Sequence, residues 1–263
     1  LLTYNDNKLI NNIIKRCSKE RAEYEFTTTN KVSHKLWRIS KSLDINQIIN
    51  AFEDINNIYI ADGHHRSASS ALLLKEQRNK DSQKNSNINY FMSYLIPTSQ
   101  LDIINFNRLI KLNEKLNTNN LISKIKMSYK IRSKGKSPYS PIKEKEISMY
   151  IDGSWYSLTY KGDNVRSISG NLDTSILSRK ILSPILDIKD EKTNKNISFL
   201  DGSISLSKIQ EKIDNKEFDI AFILQPIEIH DLKNVADNNE IMPPKSTYIH
   251  PKLRSGLIIY KID

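Results

Sequence analysis

One cysteine, Cys17, stands in 263 residues. A lone cysteine excludes an internal disulfide framework and a zinc cluster built from cysteines, and it fits a reducing compartment, so a cytoplasmic location is expected. Cys17 reads as a filler side chain on a first helix rather than a nucleophile. No apolar run reaches the roughly 18 residues that a membrane-spanning helix needs, and mean hydropathy is -0.52. No secretory signal, internal repeat or long low-complexity segment is visible. The pairs H-x-x-x-H and C-x-x-C are absent, which argues against structural zinc. G-x-S-x-G, the serine-hydrolase elbow, is absent too.

What is present is an excess of positive charge. Lysine and arginine number 40 against 30 acidic residues, a net +10 with a pI near 9.4. Eight of the basic residues lie between Lys124 and Glu146, with Gly135, Pro138 and Pro141 among them. That stretch, 124–145, reads as an exposed basic loop. It is not a groove lined with stacking aromatics, so a solvated surface is favoured and nucleic acid is not the expected partner.

Hydrophobic spacing predicts helices over 5–21, 46–55, 67–77, 206–213 and 229–235, and a longer one over 174–188 capped by Asp173 and kinked at Pro184. Strands are predicted over 34–39, 58–61, 90–96, 219–224 and 256–262, and a polar loop over 79–89. Residues 147–151 and 154–160 alternate around Asp152-Gly153, a strong two-residue hairpin turn. This mixture gives a mixed α/β (α+β) fold. The expected layout is a part over 1–123, the basic loop over 124–145 and a part over 146–263, with one continuous domain also open.

The chemistry centres on Ile58–Arg66. A strand delivers Asp62, and Gly63 permits a tight turn or a positive φ. A helix then opens with backbone N–H groups that have no internal partners, a ready site for an anion. Arg66 adds a fork that grips phosphate, and Ser67 a hydroxyl. His64 and His65 are adjacent, so one can face a ligand and the other the fold; either can move a proton. Asp62 can hold Mg²⁺ or act as a base. The competing reading makes Asp62 a helix cap and the histidines core hydrogen-bonding groups.

A second constellation is Met242-Pro243-Pro244-Lys245-Ser246-Thr247. Prolines stiffen the approach, and Lys245, Ser246 and Thr247 present a cation and two hydroxyls. No glycines precede the lysine, so it is not a P-loop. A rigid surface turn explains it equally well. Further candidates are Lys252, Arg108 after an apolar stretch, and His34, which with Trp37 would flank the DGHHR turn. A surface position is the plainer reading for Arg108.

The stretches IADGHHRSAS, NRLIKLN, SMYIDGSWY, DTSILSRKILSPIL and MPPKSTYIHPKLRSGL together resemble the bacterial domain-of-unknown-function family numbered one thousand and fifteen (DUF1015), in that family's order and over nearly the whole chain. Members usually extend further at the N-terminus, which makes LLTYND an internal point of a longer protein. The DGHHR turn is more remotely similar to the nucleotide-phosphate motif of the ParB/sulfiredoxin superfamily, which includes a free-serine kinase. That resemblance implies a ParB/sulfiredoxin-like core, with ATP or ADP and Mg²⁺ as cofactors and Asp62, His64, His65 and Arg66 around a nucleotide phosphate. Where a stretch containing glycine and arginine is expected after the DTSIL helix, the chain has Phe199-Leu200-Asp201-Gly202-Ser203.

Three functions follow as expectations. The first is a phosphotransferase that moves phosphate from a nucleotide to a hydroxylated small metabolite. The second is a phosphomonoester hydrolase using the same residues. The third is a non-enzymatic nucleotide- or nucleic-acid-binding regulator.

Overall fold

The computed structural model describes residues 1–29, 31–80, 86–112, 117–250, 252, 254 and 256–262. The fold is mixed α+β and divides into two compact units: Leu1–Leu101 with Leu253–Asp263, and Asp102–Lys252.

The first unit contains β1 (Leu2–Tyr4), α1 (Lys8–Cys17), β2 (Tyr24–Thr27), β3 (Ser33–Leu36), α2 (Ser42–Glu53), β4 (Ile58–Ile60), α3 (His64–Lys80) and β5 (Leu95–Pro97). Asn7 caps α1 by accepting from the Leu9 and Ile10 amides. The helix buries Ile10 and Ile13, and Ile10 joins Tyr4 and Ala51 in a small core. The sheet order is β4-β1-β5. β1 runs antiparallel to β4 and parallel to β5, and Leu2 pairs with both Ile60 and Leu95. The end of β4, the start of β1 and the start of β5 therefore share one edge of the sheet.

The second unit is built on six antiparallel strands in the order β11-β7-β12-β9-β10-β8: β7 (Phe106–Ile110), β8 (Tyr129–Gly135), β9 (Glu146–Ile151), β10 (Ser154–Tyr160), β11 (Ile197–Asp201) and β12 (Ile220–Ile223). A short pair joins β6 (Asp102–Ile104) to β13 (Tyr248–His250). Ile147, Met149 and Ile151 pack on one face with Leu121 and Ile125 of α4 (Thr118–Lys126) and with Leu177 and Ile181. Tyr150 and Trp155 pack on the other with Ile209 and Ile213 of α7 (Leu206–Asp214). Helical cover on both faces explains why every residue of β9 is buried. The expected Asp152-Gly153 hairpin is there: both residues have positive φ, 46° and 72°.

Between those helices, α5 (Asp173–Leu177), a π turn (Ser178–Leu182) and α6 (Ser183–Leu186) make the long helix in three pieces, followed by α8 (Ile229–Asp237) near the end. Leu172, extended at ψ 143°, is the cap, and Asp173 is the first helical residue rather than the cap. Pro184 sits at the start of α6, where its missing N–H costs little.

Three further expectations differ. The stretch 124–145 is not a loop throughout. Lys124 and Lys126 end α4, and 129–135 is the edge strand β8. Tyr129 is buried while Lys130, Arg132 and Lys134 point outward, so charge masked the strand alternation. Residues 90–94 are not strand, because β1 offers only three residues to pair with and its ladder with β5 starts at Leu95. Residues 256–262 form a turn and an irregular segment with no strand pairing, and the strand in that region is β13 instead. Part of the polar loop over 79–89 lies outside the described residues; Ser86–Asn89 is a 3-10 turn.

Candidate functional site

The DGHHR turn sits where β4 hands over to α3. Gly63 takes φ +84°, a left-handed conformation that a side chain strains. Its amide donates to the Asp62 carboxylate at 2.8 Å. One carboxylate oxygen of Asp62 is therefore engaged inside the turn. The Gly63 carbonyl accepts from the Ser67 amide at 3.0 Å, which closes the first helical turn and leaves the amides of His64, His65 and Arg66 ahead of the regular ladder. α3 has no acidic residue in its first turn; the Asp62 carboxylate lies just ahead of it, held on the Gly63 amide.

A cavity of about 600 Å³ opens onto this turn, and every residue lining it belongs to the first unit. Gly63, His65, Arg66 and Ser67 line it, joined by Ser69 and Ser70. Its remaining wall is apolar and aromatic, from residues 88–93 and 256–262. No aspartate or glutamate lines it. Arg66 pairs with no carboxylate among the described residues. A cation, hydroxyls and the amides ahead of the α3 ladder can together receive an anion.

His64 and Asp62 are not among the lining residues. Both histidines are exposed, so neither is the core group that one of them was expected to be. Among the described residues no three His, Cys, Asp or Glu side chains cluster as a metal site. For Mg²⁺ the fit is thus limited to Asp62 together with whatever oxygens a bound phosphate brings.

His34 stacks on Phe26 with ring centroids 5.0 Å apart, in the β2–β3 pair, and its Nε2 is buried without a hydrogen-bond partner. Trp37 donates to the Glu20 carbonyl at 2.9 Å and lines a separate polar cavity of about 160 Å³ beside Cys17. Neither residue lines the DGHHR cavity.

In the second unit, Arg108 is not on the surface. It lies on β7 between β11 and β12, 1% exposed. Its Nε is 3.5 Å from Glu191, and its other nitrogens donate to the carbonyls of Phe106 at 2.6 Å and Lys245 at 3.1 Å. Burial lowers its pKa, and the Glu191 carboxylate works against that. The guanidinium thus clamps the Pro-Pro-Lys turn by its backbone, and Lys245 is held there at φ 51°. The Lys245 ammonium lies 5.2 Å over the Phe106 ring. Ser246, expected as an anion donor, is 4% exposed; it donates to the Pro243 carbonyl at 2.8 Å and shares a hydrogen bond with Thr174. Its hydroxyl is committed to the fold. Thr247 is half-buried, and Lys252 lies 4.5 Å over the Tyr248 ring.

Sequence reasoning missed the aromatic wall because Tyr90-Phe91-Met92 scores as strand. Two adjacent aromatics, Tyr90-Phe91, directly after the polar stretch 79–89 are the signal that the sequence carries.

Comparison with known proteins adds little chemistry. A family model described as "Protein of unknown function (DUF1015)" matches residues 1–175, so the MPPKST stretch lies beyond the match. No curated protein matches. Among solved structures, a conserved hypothetical protein from Pyrococcus furiosus aligns over 94% of this chain and 85% of its own, at 12% identity and a TM-score of 0.38. Free serine kinase in complex with AMP aligns over 94% and 82%, at 10% identity and 0.43. A mutant of that kinase in complex with ADP gives 12% and 0.42 over the same shares. At that distance the likenesses say nothing about activity.

Proposed function

The chain belongs to this family of unknown function, and from that premise we propose that it is a nucleotide-dependent phosphotransferase acting on a hydroxylated small metabolite. One observation carries the reading. The anion-receiving start of α3, with Gly63, His65, Arg66 and Ser67, opens into a cavity of about 600 Å³ that no carboxylate lines. That volume suits a drug-sized or nucleotide-sized ligand. The remote likeness of the DGHHR turn to ParB/sulfiredoxin nucleotide sites is part of the same proposal.

In this reading the amides ahead of the α3 ladder and the Arg66 fork hold the phosphates and balance charge on the transferred group. His65 takes the proton of the acceptor hydroxyl. The acceptor oxygen bonds to the terminal phosphorus, and the bond from that phosphorus to the bridging oxygen breaks. The nucleotide leaves one phosphate shorter. Mg²⁺, when bound, neutralises phosphate oxygens; Asp62 is the carboxylate of the turn that would hold it. His64 is a candidate to assist proton transfer. Lys245 and Thr247, in the second unit, remain candidates for an anion contact of their own, apart from this cavity.

The test is calorimetric titration of ADP and ATP, with and without Mg²⁺, followed by a screen of hydroxylated metabolites as acceptors. Arg66→Ala is expected to weaken nucleotide binding at least tenfold, the loss of a charge-assisted fork. Wild-type binding with Arg66→Ala, or no nucleotide binding at all, overturns the reading. Free phosphate released from phosphorylated metabolites without nucleotide would assign the site to a hydrolase instead.

A further inference from the structure

The cavity's second wall carries an inference that rests on this reading and sharpens it. Tyr90 is 70% exposed, Phe91 49% and Tyr260 36%, although all three line one cavity. Aromatic side chains left this open lack the partner that would cover their faces. None of the three stacks on another ring among the described residues. Tyr260 is held in place by its hydroxyl, which donates to the Asn87 carbonyl at 3.0 Å. That bond ties the 256–262 segment to the 3-10 turn just before Tyr90.

Strand register sets how far apart the DGHHR turn and the Tyr90–Tyr94 segment are rooted in the sheet. Leu2 pairs with Ile60 on one side and Leu95 on the other. The DGHHR turn leaves the sheet just after Ile60, and the Tyr90–Tyr94 segment enters just before Leu95. Ile60 and Leu95, where the two segments are rooted, are thus two strand spacings apart at one end of the sheet, about 10 Å. That is the reach of a nucleoside phosphate from base to phosphate.

The polar groups of the cavity matter as much. Beyond His65 and Arg66 its side-chain donors and acceptors are serine hydroxyls and tyrosine phenols; no Asp, Glu, Asn or Gln lines it. Strong discrimination between bases needs fixed hydrogen-bonding groups that one base satisfies and another does not. Stacking alone is tolerant, because every base has a π face.

We propose that Tyr90, Phe91 and Tyr260 form the base-binding half of the nucleotide site, and that this half works by stacking, so that the protein accepts adenine and guanine nucleotides alike. The base lies against the aromatic wall while the phosphates stay at the start of α3.

Calorimetry on the whole chain with ADP, GDP and inorganic pyrophosphate tests this. ADP and GDP are expected to bind within about threefold of each other, and pyrophosphate at least tenfold more weakly, the effect of one lost stacking contact. Phe91→Ala and Tyr90→Ala, both at exposed positions, should weaken ADP about tenfold and leave pyrophosphate within twofold. Tyr260→Phe, which keeps the ring, should bind ADP better than Tyr260→Ala. Pyrophosphate binding as tightly as ADP, or a preference for one purine above about thirtyfold, overturns the inference while leaving the phosphate site standing. Binding of none of the three ligands overturns the underlying reading.

Discussion

Replacing Asp173 by asparagine should remove a pH dependence from the stability of the second unit. Asp173 opens α5, and its carboxyl is pushed from 3.8 up to about 7. Burial is the main cause, and the neighbouring Glu144 charge adds to it; the Lys145 amide and charge pull the other way. In the unfolded chain the group ionises near its ordinary value, while in the folded protein it holds its proton. Folding is therefore favoured by this group below pH 4, and the contribution falls away as pH rises to about 7. Three units at 1.36 kcal/mol each give an upper figure of about 4 kcal/mol. Residual solvent access lowers this to roughly 2–4 kcal/mol. Asparagine keeps an acceptor for the Lys145 amide and has no charge to bury. Asp173→Asn should thus match the wild type near pH 4 and exceed it in stability by that amount at pH 8. Urea unfolding read by the fluorescence of buried Trp155, in a Trp37→Phe background, measures the difference at each pH. Parallel pH profiles for the two proteins, or a variant weaker than wild type at pH 8, would refute the reasoning.

Other outcomes follow from the same geometry. Arg108→Ala should cost about 3–5 kcal/mol, because it leaves Glu191 buried without its counter-charge; thermal unfolding measures it, and Arg108→Met with Glu191→Leu should recover part of the loss. Glu240 accepts from the Ile168 and Ser169 amides and from the Ser167 and Ser169 hydroxyls, and these bonds hold its pKa down to about 2. Its contribution is present above the ordinary carboxylate range and is lost as pH falls toward 2. Glu240→Gln should raise amide exchange over 167–171 at pH 7 and flatten the difference from wild type in acid, as read by hydrogen-exchange mass spectrometry.

How legible all this was depends on the range of the interactions. The hairpin at Asp152-Gly153 is encoded by two adjacent residues, and it reads directly from sequence. So does the strand–turn–helix at Gly63, where the left-handed φ and the helix start are local events. Arg108 is the opposite case. Its neighbours on the chain gave no sign of burial, because the groups that satisfy it, Glu191 and the 244–245 carbonyls, arrive from distant segments. Ser246 was misread for the same reason, since its partner Thr174 lies on α5. Residues 256–262 have strand composition, yet composition cannot supply a neighbouring edge, and the segment became a cavity wall instead.

One part of the cavity lining, residues 256–262, is separated along the chain from all the rest by the whole second unit, since Asp102–Lys252 is spliced between Leu101 and Leu253. Synthesis proceeds from the N-terminus, and domains tend to fold as units while the chain emerges. The inserted unit is contiguous, so it can fold as soon as it clears the ribosome. The unit that hosts it must wait for its last strap. The cavity is therefore completed last, and a chain stalled or clipped after Lys252 would carry a well-folded insert and an incomplete cavity.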